Sequence, residues 1–387
     1  MDEHALPPFA TRRRLVLGLA ALGASRLAAA QNADELLDFA PRAAPPAGYS
    51  ADYAATVRAA EDEGRLVIYA TTDTDVAQPL LDDFQAMYPR VHVEYEDQTS
   101  TEMHHRFVAE TQLGRDTADV LWSSAMDLQV SLVEQGYALA YASPERAGLP
   151  DWARLHDQAW ATTFEPIAVA YNKKLVPEPP RTHADLAKLL AAQAAPLRGK
   201  VMTFDVEKSG LGFLLAAQDA RAMPAAFWEL AEAMGKAGVR FAATTGAMLR
   251  QVASGQAAVA YNVLGAYSLA QARRHPEIGV LFPSDYTLVL SRLQLIAQRA
   301  RRPNAARLWV DYTLSRRGQA LIARQGLYAV RADVQGQTTA AQLTQQLGQA
   351  LRPIVPGAEL TRDLQLEPYR AFIQRWRQAI GQPLRGR

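Results

Sequence analysis

Hydroxyl and glycine residues recur in four short turns, each of which follows a predicted strand and begins a predicted helix. The turns are Thr71-Thr72-Asp73-Thr74, Ser123-Ser124, Ser209-Gly210 and Thr244-Thr245-Gly246. The first N–H groups of a helix lack partners within the helix and carry partial positive charge, so they bind anions. In an open α/β sheet such turns meet at the carboxyl edge, where ligands bind. One turn alone would be an ordinary helix cap, but four together predict a cleft lined by hydrogen-bond donors.

Four further polar residues are candidates for the same cleft. Tyr261 and Asn262 follow a predicted strand and could supply a phenol and an amide, although a buried structural tyrosine fits the pattern equally well. Arg292 is the strand-borne cation best placed for an anionic ligand, unless it is a surface arginine. Thr163 precedes the first predicted crossing between lobes and could line the hinge side of the cleft. The predicted ligand-binding residues are Thr72, Asp73, Thr74, Ser123, Ser124, Thr163, Ser209, Gly210, Thr245, Tyr261, Asn262 and Arg292.

The sequence lacks the motifs of hydrolases and redox enzymes. It contains no nucleophile elbow, no HExxH motif, no P-loop and no GxGxxG after a strand. The absence of cysteine excludes disulfides, thiol catalysis and thiolate metal sites. The adjacent His104 and His105 would point about 100° apart on a helix and could not both reach one ion. We therefore predict that the protein is not an enzyme and has no catalytic residues, metal site or cofactor.

The composition is that of a globular protein with balanced charge. The chain has 387 residues, a formal net charge of +1 and 49% hydrophobic residues. Nucleic-acid-binding proteins usually carry a basic excess, so we predict no nucleic-acid partner. The length predicts a large core divided into two lobes. Beyond the N-terminal segment no stretch is apolar enough to span a membrane, so no stable membrane insertion is expected.

The N-terminal residues have the pattern of an export signal. Arg12-Arg13-Arg14 precedes an apolar run over residues 15–23, and Leu27-Ala28-Ala29-Ala30 resembles a cleavage site. The apolar run is shorter than the ~20 residues of a spanning helix. We predict a signal peptide over residues 1–30, cleaved near Ala30, and a periplasmic protein. The arginines are compatible with the twin-arginine route and with ordinary export, so the route stays open.

Helical and strand patterns alternate along the remainder of the chain. A linker and one helix are predicted over residues 31–65. Short apolar runs then alternate with amphipathic segments, which predicts an α/β fold of two doubly wound lobes joined by a hinge. The predicted division is 66–170 for the first part of lobe 1, 171–285 for lobe 2 and 286–387 for the return to lobe 1, including the C-terminal helices.

Five motifs occur in an order that resembles a known family. They are Val67-Ile68-Tyr69-Ala70 with its Thr/Asp turn, residues 118–124 (ADVLWSS), residues 168–172 (AVAYN), residues 254–262 (SGQAAVAYN) and residues 315–319 (SRRGQ). Together they look like the extracellular solute-binding proteins of ABC importers, in the branch similar to ferric-iron and phosphonate- or phosphoglycerate-binding proteins. The resemblance implies a type II periplasmic binding protein fold, in which two lobes close on a ligand. It also implies delivery of the ligand to an inner-membrane permease driven by an ATPase.

The chain departs from the iron-binding members at the positions of their ligands. Their tyrosine pair would fall after Asn262, where this sequence has Val263-Leu264-Gly265-Ala266, with Tyr267 slightly beyond. Their carboxylate would fall near Ser123-Ser124, and their histidine would fall within residues 71–75, which contain none. Ferric iron prefers phenolate and carboxylate oxygens. Neutral hydroxyls and helix N-termini suit an anion better.

Three hypotheses follow, in order of preference. The first is a periplasmic component of an ABC importer that captures a small anionic solute, such as an organophosphate, a phosphonate or a carboxylate. The second keeps the transport class but makes the ligand ferric iron. The third is a periplasmic sensor that presents its closed form to a membrane receptor such as a sensor kinase. The sequence does not distinguish import from sensing.

Overall fold

A computed structural model describes residues 45–46 and 48–383. The predicted signal peptide, most of the predicted linker and residues 384–387 lie outside the described residues. Strands and helices alternate along most of the described part.

The described residues form thirteen strands, numbered in chain order. They are β1 (Arg65–Ala70), β2 (His92–Asp97), β3 (Val120–Ser123), β4 (Arg154–Leu155), β5 (Ala159–Ala161), β6 (Glu165–Asn172), β7 (Val201–Phe204), β8 (Arg240–Ala242), β9 (Val259–Leu264), β10 (Ile278–Leu281), β11 (Thr287–Leu290), β12 (Leu293–Ile296) and β13 (Leu351–Pro353).

Thirteen α-helices accompany these strands in the same part of the chain. They are α1 (Tyr53–Glu63), α2 (Thr74–Met87), α3 (Ser100–Gln112), α4 (Met126–Glu134), α5 (His183–Ala192), α6 (Gly210–Ala222), α7 (Pro224–Lys236), α8 (Thr245–Ala253), α9 (Gly265–Arg274), α10 (Pro303–Leu314), α11 (Arg316–Arg324), α12 (Ala340–Leu347) and α13 (Leu366–Ala379). No described helix has both the length and the apolar character needed to cross a membrane.

The strands form two sheets, which define two lobes. The first sheet has the order β2-β1-β3-β12-β5-β4 and forms lobe 1. The second has the order β13-β11-β6-β9-β7-β8 and forms lobe 2, with β10 pairing with β6 beside β11. In lobe 1, β1 lies parallel to both β2 and β3, and in lobe 2, β7 lies parallel to β8 and β9. The predicted α/β class with two lobes is confirmed.

The chain crosses between the lobes at different residues from those predicted. It leaves the first sheet after β5 and enters the second at β6, so the first crossing covers residues 162–164. It returns between β11 and β12, at residues 291–292. The predicted boundaries at 170/171 and 285/286 instead place most of β6, and all of β11, in the wrong lobe. Because a strand buried on both faces is a continuous apolar run in either sheet, its pattern does not reveal which sheet it joins.

The C-terminal region also differs from the prediction that residues 286–387 belong to lobe 1. Strand β13 pairs with β11 in the second sheet, so a third connection joins the lobes between α12 and β13. The last helix, α13, places Phe372 and Trp376 against Phe227 of α7. The four-residue spacing of Phe372 and Trp376 places both on one apolar face, which packs on lobe 2 together with Ile380, the residue just beyond the helix. The spacing of apolar residues identifies the buried face of a helix, but it does not reveal which lobe that face packs against.

A buried ion pair joins the two hinge crossings. The Arg292 Nε donates to Glu165 Oε1 at 2.7 Å, and both side chains are fully buried. Thr163 connects them further, since its Oγ1 donates to Glu165 Oε1 at 2.9 Å and accepts the Arg292 backbone N–H at 2.9 Å. The Arg292 Nη1 also donates to Thr72 Oγ1 at 2.9 Å, in the turn after β1. The cluster therefore holds the crossings against lobe 1.

We expect Glu165→Gln to lower the free energy of unfolding by about 3–5 kcal/mol, because it leaves the Arg292 charge buried without a counter-charge. The change would be measured as a lower urea midpoint. The control is Glu359→Gln, which breaks the exposed pair with Arg362 at 2.7 Å and should cost less than about 1 kcal/mol. Equal costs for the two variants would contradict the role given to the buried pair.

Candidate functional site

A cavity with a volume of about 520 Å³ lies between the two lobes. Lobe 1 contributes Thr71, Asp73, Thr74, Asp75, Asp97, Gln98, Thr99, Ser100, Glu102 and Ser124. Lobe 2 contributes Phe204, Ser209, Leu211, Ala243, Thr244, Thr245, Gly246, Leu264 and Tyr267. The cavity thus lies at the carboxyl ends of β1, β2 and β3 on one side and of β7, β8 and β9 on the other.

Helix caps determine the conformation of most lining segments. Thr99 and Glu102 form a capping box at the start of α3, with each side chain bound to the other residue's backbone. Ser209 accepts from the Gly212 N–H at the start of α6, and Thr244 accepts from the Ala247 N–H at the start of α8. These caps begin the helices directly after the strands, which brings helix starts from both lobes to one cavity.

The structure brings together some of the predicted ligand-binding residues and separates others. Five line the cavity: Asp73, Thr74, Ser124, Ser209 and Thr245. Seven do not: Thr72, Ser123, Thr163, Gly210, Tyr261, Asn262 and Arg292. Each of the seven has a structural partner.

Three of the displaced residues belong to the hinge cluster. Arg292 is neither a surface residue nor a cation open to a ligand, because Glu165 and the Thr72 hydroxyl bind its guanidinium. Thr163 is fully buried between Glu165 and the Arg292 backbone. A fourth displaced residue, Ser123, is also buried, and its Oγ accepts the Ala125 N–H at 3.1 Å. The residues of the hinge cluster come from segments that are far apart along the chain. Local sequence pattern does not reveal contacts of this kind.

Tyr261 and Asn262 lie inside lobe 2, on a buried carboxylate. The Tyr261 hydroxyl donates to Asp219 at 2.8 Å, the Asn262 amide donates at 2.7 Å and the Tyr286 hydroxyl donates at 3.0 Å. Burial raises the pKa of Asp219, while His183 and these three donors lower it by less. Asn262 has a φ of 61°, the left-handed region that asparagine tolerates. The alternative assignment of Tyr261 as a structural tyrosine is therefore the one that the structure shows.

The prediction that the first N–H groups of α6 would be available to a ligand is wrong. The Gly210 N–H donates to Thr101 Oγ1 at 3.0 Å, and the Leu211 N–H donates to Ser100 Oγ at 3.1 Å. Both acceptors are in the first turn of α3 in lobe 1. Hydroxyls of one lobe thus take the place that the prediction gave to a ligand.

The lining from lobe 2 offers hydroxyl donors and has no charged side chain. The hydroxyls of Ser209, Thr244, Thr245 and Tyr267 each accept a backbone N–H. A hydroxyl that accepts in this way keeps its own hydrogen to donate. No protein acceptor for these four hydrogens occurs among the described residues. Burial raises the pKa of Tyr267 to about 12, so its hydroxyl is a donor at neutral pH.

The lining from lobe 1 carries four carboxylates and, in the described chain, no lysine or arginine. Asp97 accepts from the Thr74 N–H at 2.9 Å and from its hydroxyl at 2.6 Å, and Glu102 is bound in the capping box. The carboxylates of Asp73 and Asp75 accept no hydrogen bond from any other described residue. Burial raises the pKa of Asp73, and the nearby Arg292 opposes that shift. The cavity is therefore polarised, acidic toward lobe 1 and donor-rich toward lobe 2.

Several lining residues are absent from the set predicted from the sequence. Asp97-Gln98-Thr99-Ser100 follows β2 in the same way that the four recognised turns follow their strands, so its signal was present in the sequence. Asp75 lies one residue beyond the first recognised turn. Tyr267 reaches the cavity from the first turn of α9, and no local pattern predicts that position. Among the described residues, no group of three or more His, Asp or Glu side chains is arranged to hold a metal ion.

Comparison with known proteins identifies the family. The sequence pattern of the bacterial extracellular solute-binding proteins matches residues 79–346. The chain belongs to that family. A substrate-binding protein of an ABC transporter from Agrobacterium tumefaciens is 37% identical, with a TM-score of 0.78 over 82% of this chain and 94% of that one. No curated protein matches the chain.

More distant structures share the fold of this extracellular solute-binding protein. The periplasmic binding protein AfuA from Actinobacillus pleuropneumoniae, solved with fructose-6-phosphate, is 20% identical with a TM-score of 0.69 over 82% of this chain and 99% of that one. A ferric binding protein from Campylobacter jejuni is 16% identical with a TM-score of 0.63 over 81% and 99%. Proteins of one fold thus bind a sugar phosphate or iron, so the ligand must be argued from the site. The family is one of transport proteins and not of enzymes.

Tyr261→Phe should lower the free energy of unfolding by about 1–3 kcal/mol, because Asp219 then loses one of its donors while it stays buried. Tyr267→Phe removes a hydroxyl from the accessible cavity wall and should cost less than about 1 kcal/mol. Urea unfolding of both variants measures the difference. If Tyr267→Phe lowered the free energy of unfolding more than Tyr261→Phe, Tyr261 would again be a candidate binding residue.

Proposed function

We propose that the protein is the periplasmic solute-binding component of an ABC importer. In this function it captures a small polar solute in the cavity between its lobes and delivers it to an inner-membrane permease. Family membership, and the similarity to the Agrobacterium substrate-binding protein, support this role. The cavity volume of about 520 Å³ falls in the range of about 300–1,000 Å³ that small-molecule sites occupy.

The polarity of the cavity carries the assignment of the solute class. Hydroxyls of Ser209, Thr244 and Thr245, with the N–H groups at the start of α8, would bind an acceptor group such as a carboxylate, phosphonate or phosphate. On the facing wall, Asp73 and Asp75 would bind a cationic group. A solute with an anionic group at one end and an ammonium group at the other satisfies both walls. The proposed solute is thus a small zwitterion.

This proposal modifies the hypothesis of a purely anionic solute. It keeps the anionic group against lobe 2, where the sequence prediction placed Ser209 and Thr245. It adds a cationic group because four carboxylates face the same cavity and Arg292 is neutralised by Glu165. Two like charges about 5 Å apart repel by about 3 kcal/mol at an effective dielectric constant of about 20. An anion without a cationic group would experience this repulsion.

The proposal is tested by thermal-shift measurements with matched sets of small molecules. Each set contains an ω-amino carboxylate or ω-amino phosphonate, the same acid without the amine and the same amine without the acid. Ferric citrate is added as a separate probe. A ligand present at many times its Kd adds kcal/mol of apparent stability. We expect the zwitterion of one set to raise the melting temperature most.

The acidic wall is tested by the double variant Asp73→Asn, Asp75→Asn. It should weaken the binding of the selected zwitterion at least tenfold, because the cationic group loses both counter-charges. The control is Asp82→Asn, which removes an exposed carboxylate bound to Gln78 at 2.7 Å on the same helix and should leave the affinity unchanged. Titration calorimetry measures both affinities.

Two outcomes would overturn the zwitterion assignment. If the acid without the amine binds as tightly, and the double variant binds it more tightly still, the solute is an anion. If ferric citrate alone stabilises the protein and gives a tyrosinate-to-iron colour, the solute is iron. In either case the role in import would remain.

A further inference from the structure

Three hydrogen bonds connect the lobes directly across the edge of the cavity. Two run from the Gly210 and Leu211 N–H groups at the start of α6 to Thr101 Oγ1 and Ser100 Oγ, at 3.0 and 3.1 Å. The third runs from the Asp73 N–H in lobe 1 to the Tyr267 hydroxyl in lobe 2, at 3.2 Å. We call the contact of Ser100 and Thr101 with the start of α6 the latch.

The latch is close-packed. A Cβ atom added at Gly210 would lie 2.6 Å from Leu128 Cδ1 and 3.1 Å from Ser100 Oγ. Leu128 belongs to α4 of lobe 1, so the absence of a side chain at Gly210 lets the two lobes approach this closely. Ser100 is itself buried, which keeps water from competing for its hydroxyl. The contact is therefore a built interface between the lobes.

The latch satisfies helix N–H groups that would bond to water if the lobes were apart. Ser209 caps one N–H of α6 from within lobe 2, and lobe 1 caps two more. The start of α6 is thus satisfied by the protein alone when the lobes are closed. Closure consequently replaces hydrogen bonds to water by hydrogen bonds within the protein, with a net gain for each, whether or not the cavity is filled.

We propose that Ser100 and Thr101 are positioning residues that populate the closed state of the protein before the solute binds. This inference goes beyond the proposed function, since it concerns closure of the empty protein, and it does not depend on the solute class. If the closed state is already populated, less free energy is spent on closing the lobes when the solute binds. The latch therefore raises the apparent affinity for the solute. It also slows entry of the solute, because the solute must wait for the lobes to open.

The chain allows a direct test of lobe closure because it has no cysteine. Ala109→Cys on α3 and Ala225→Cys on α7 place spin labels on exposed positions of lobe 1 and lobe 2. Double electron–electron resonance then measures the distance distribution between the labels without any added solute. The test variant carries Ser100→Ala and Thr101→Val in this background.

We expect a closed population in the parent and a roughly tenfold lower ratio of closed to open molecules in the variant, since the loss of two net hydrogen bonds shifts an equilibrium by about that factor. The control is Thr182→Val, which removes a cap within lobe 2. It should lower stability to a similar extent and leave the distances unchanged. Far-UV circular dichroism confirms that each variant is folded.

Two results would overturn the inference. One is a parent protein that is fully open without solute, and the other is a variant whose distance distribution equals that of the parent. Neither result affects the proposed function, because solute binding is measured separately by the thermal-shift and calorimetric experiments.

Discussion

The buried pair of Arg292 and Glu165 is the interaction on which the arrangement of the lobes depends. The two residues lie on or beside the two hinge crossings, and Arg292 also binds the Thr72 hydroxyl in the turn after β1. An arginine without access to water needs a counter-charge, so the pair forms only when both crossings and that turn are in place. The same contact withdraws the nearby Arg292 guanidinium from the cavity. A structural requirement of the hinge thereby leaves the carboxylates of lobe 1 to determine the charge of the binding wall.

The cavity shows how caps and ligand sites share the same chemistry. Serine and threonine hydroxyls accept N–H groups at helix starts, which forms the local structure, and they keep one hydrogen for a further acceptor. At α6 the capping extends across the cleft to Ser100 and Thr101. The two N–H groups of α6 that lobe 1 completes contribute to closure, while the Ser209 hydroxyl beside them remains available to the solute. The first N–H groups of α6 and of α8 are therefore chemically alike but serve different purposes.

Local pattern predicted the fold class and some of the residues that line the cavity from each lobe, and it failed where distant segments meet. The turns after β1 and β3 were recognised because hydroxyls follow apolar runs, and Asp73, Thr74 and Ser124 do line the cavity. Tyr261 was predicted to follow a strand in the same way, but it lies within β9, and its partner Asp219 is 42 residues away in sequence. Arg292 and Glu165 are 127 residues apart, and no periodicity relates them. The family resemblance predicted two lobes and a cleft. The polarity of the cleft could be assigned only from the side-chain contacts seen in the structure.

The order of strands in the second sheet determines how far each part of the cavity moves when the lobes open. Strands β13, β11 and β6 are the three that connect to lobe 1, and they are neighbours at one side of the sheet. The lining helices α6 and α8 follow β7 and β8, at the other side. The start of α6 follows β7, and with neighbouring strands about 4.8 Å apart, β7 lies about 10 Å from β6. A rotation of about 15° then moves β7 by about 2–3 Å, which exceeds what a hydrogen bond tolerates. A small change in hinge angle is thus enough to release the start of α6 from lobe 1.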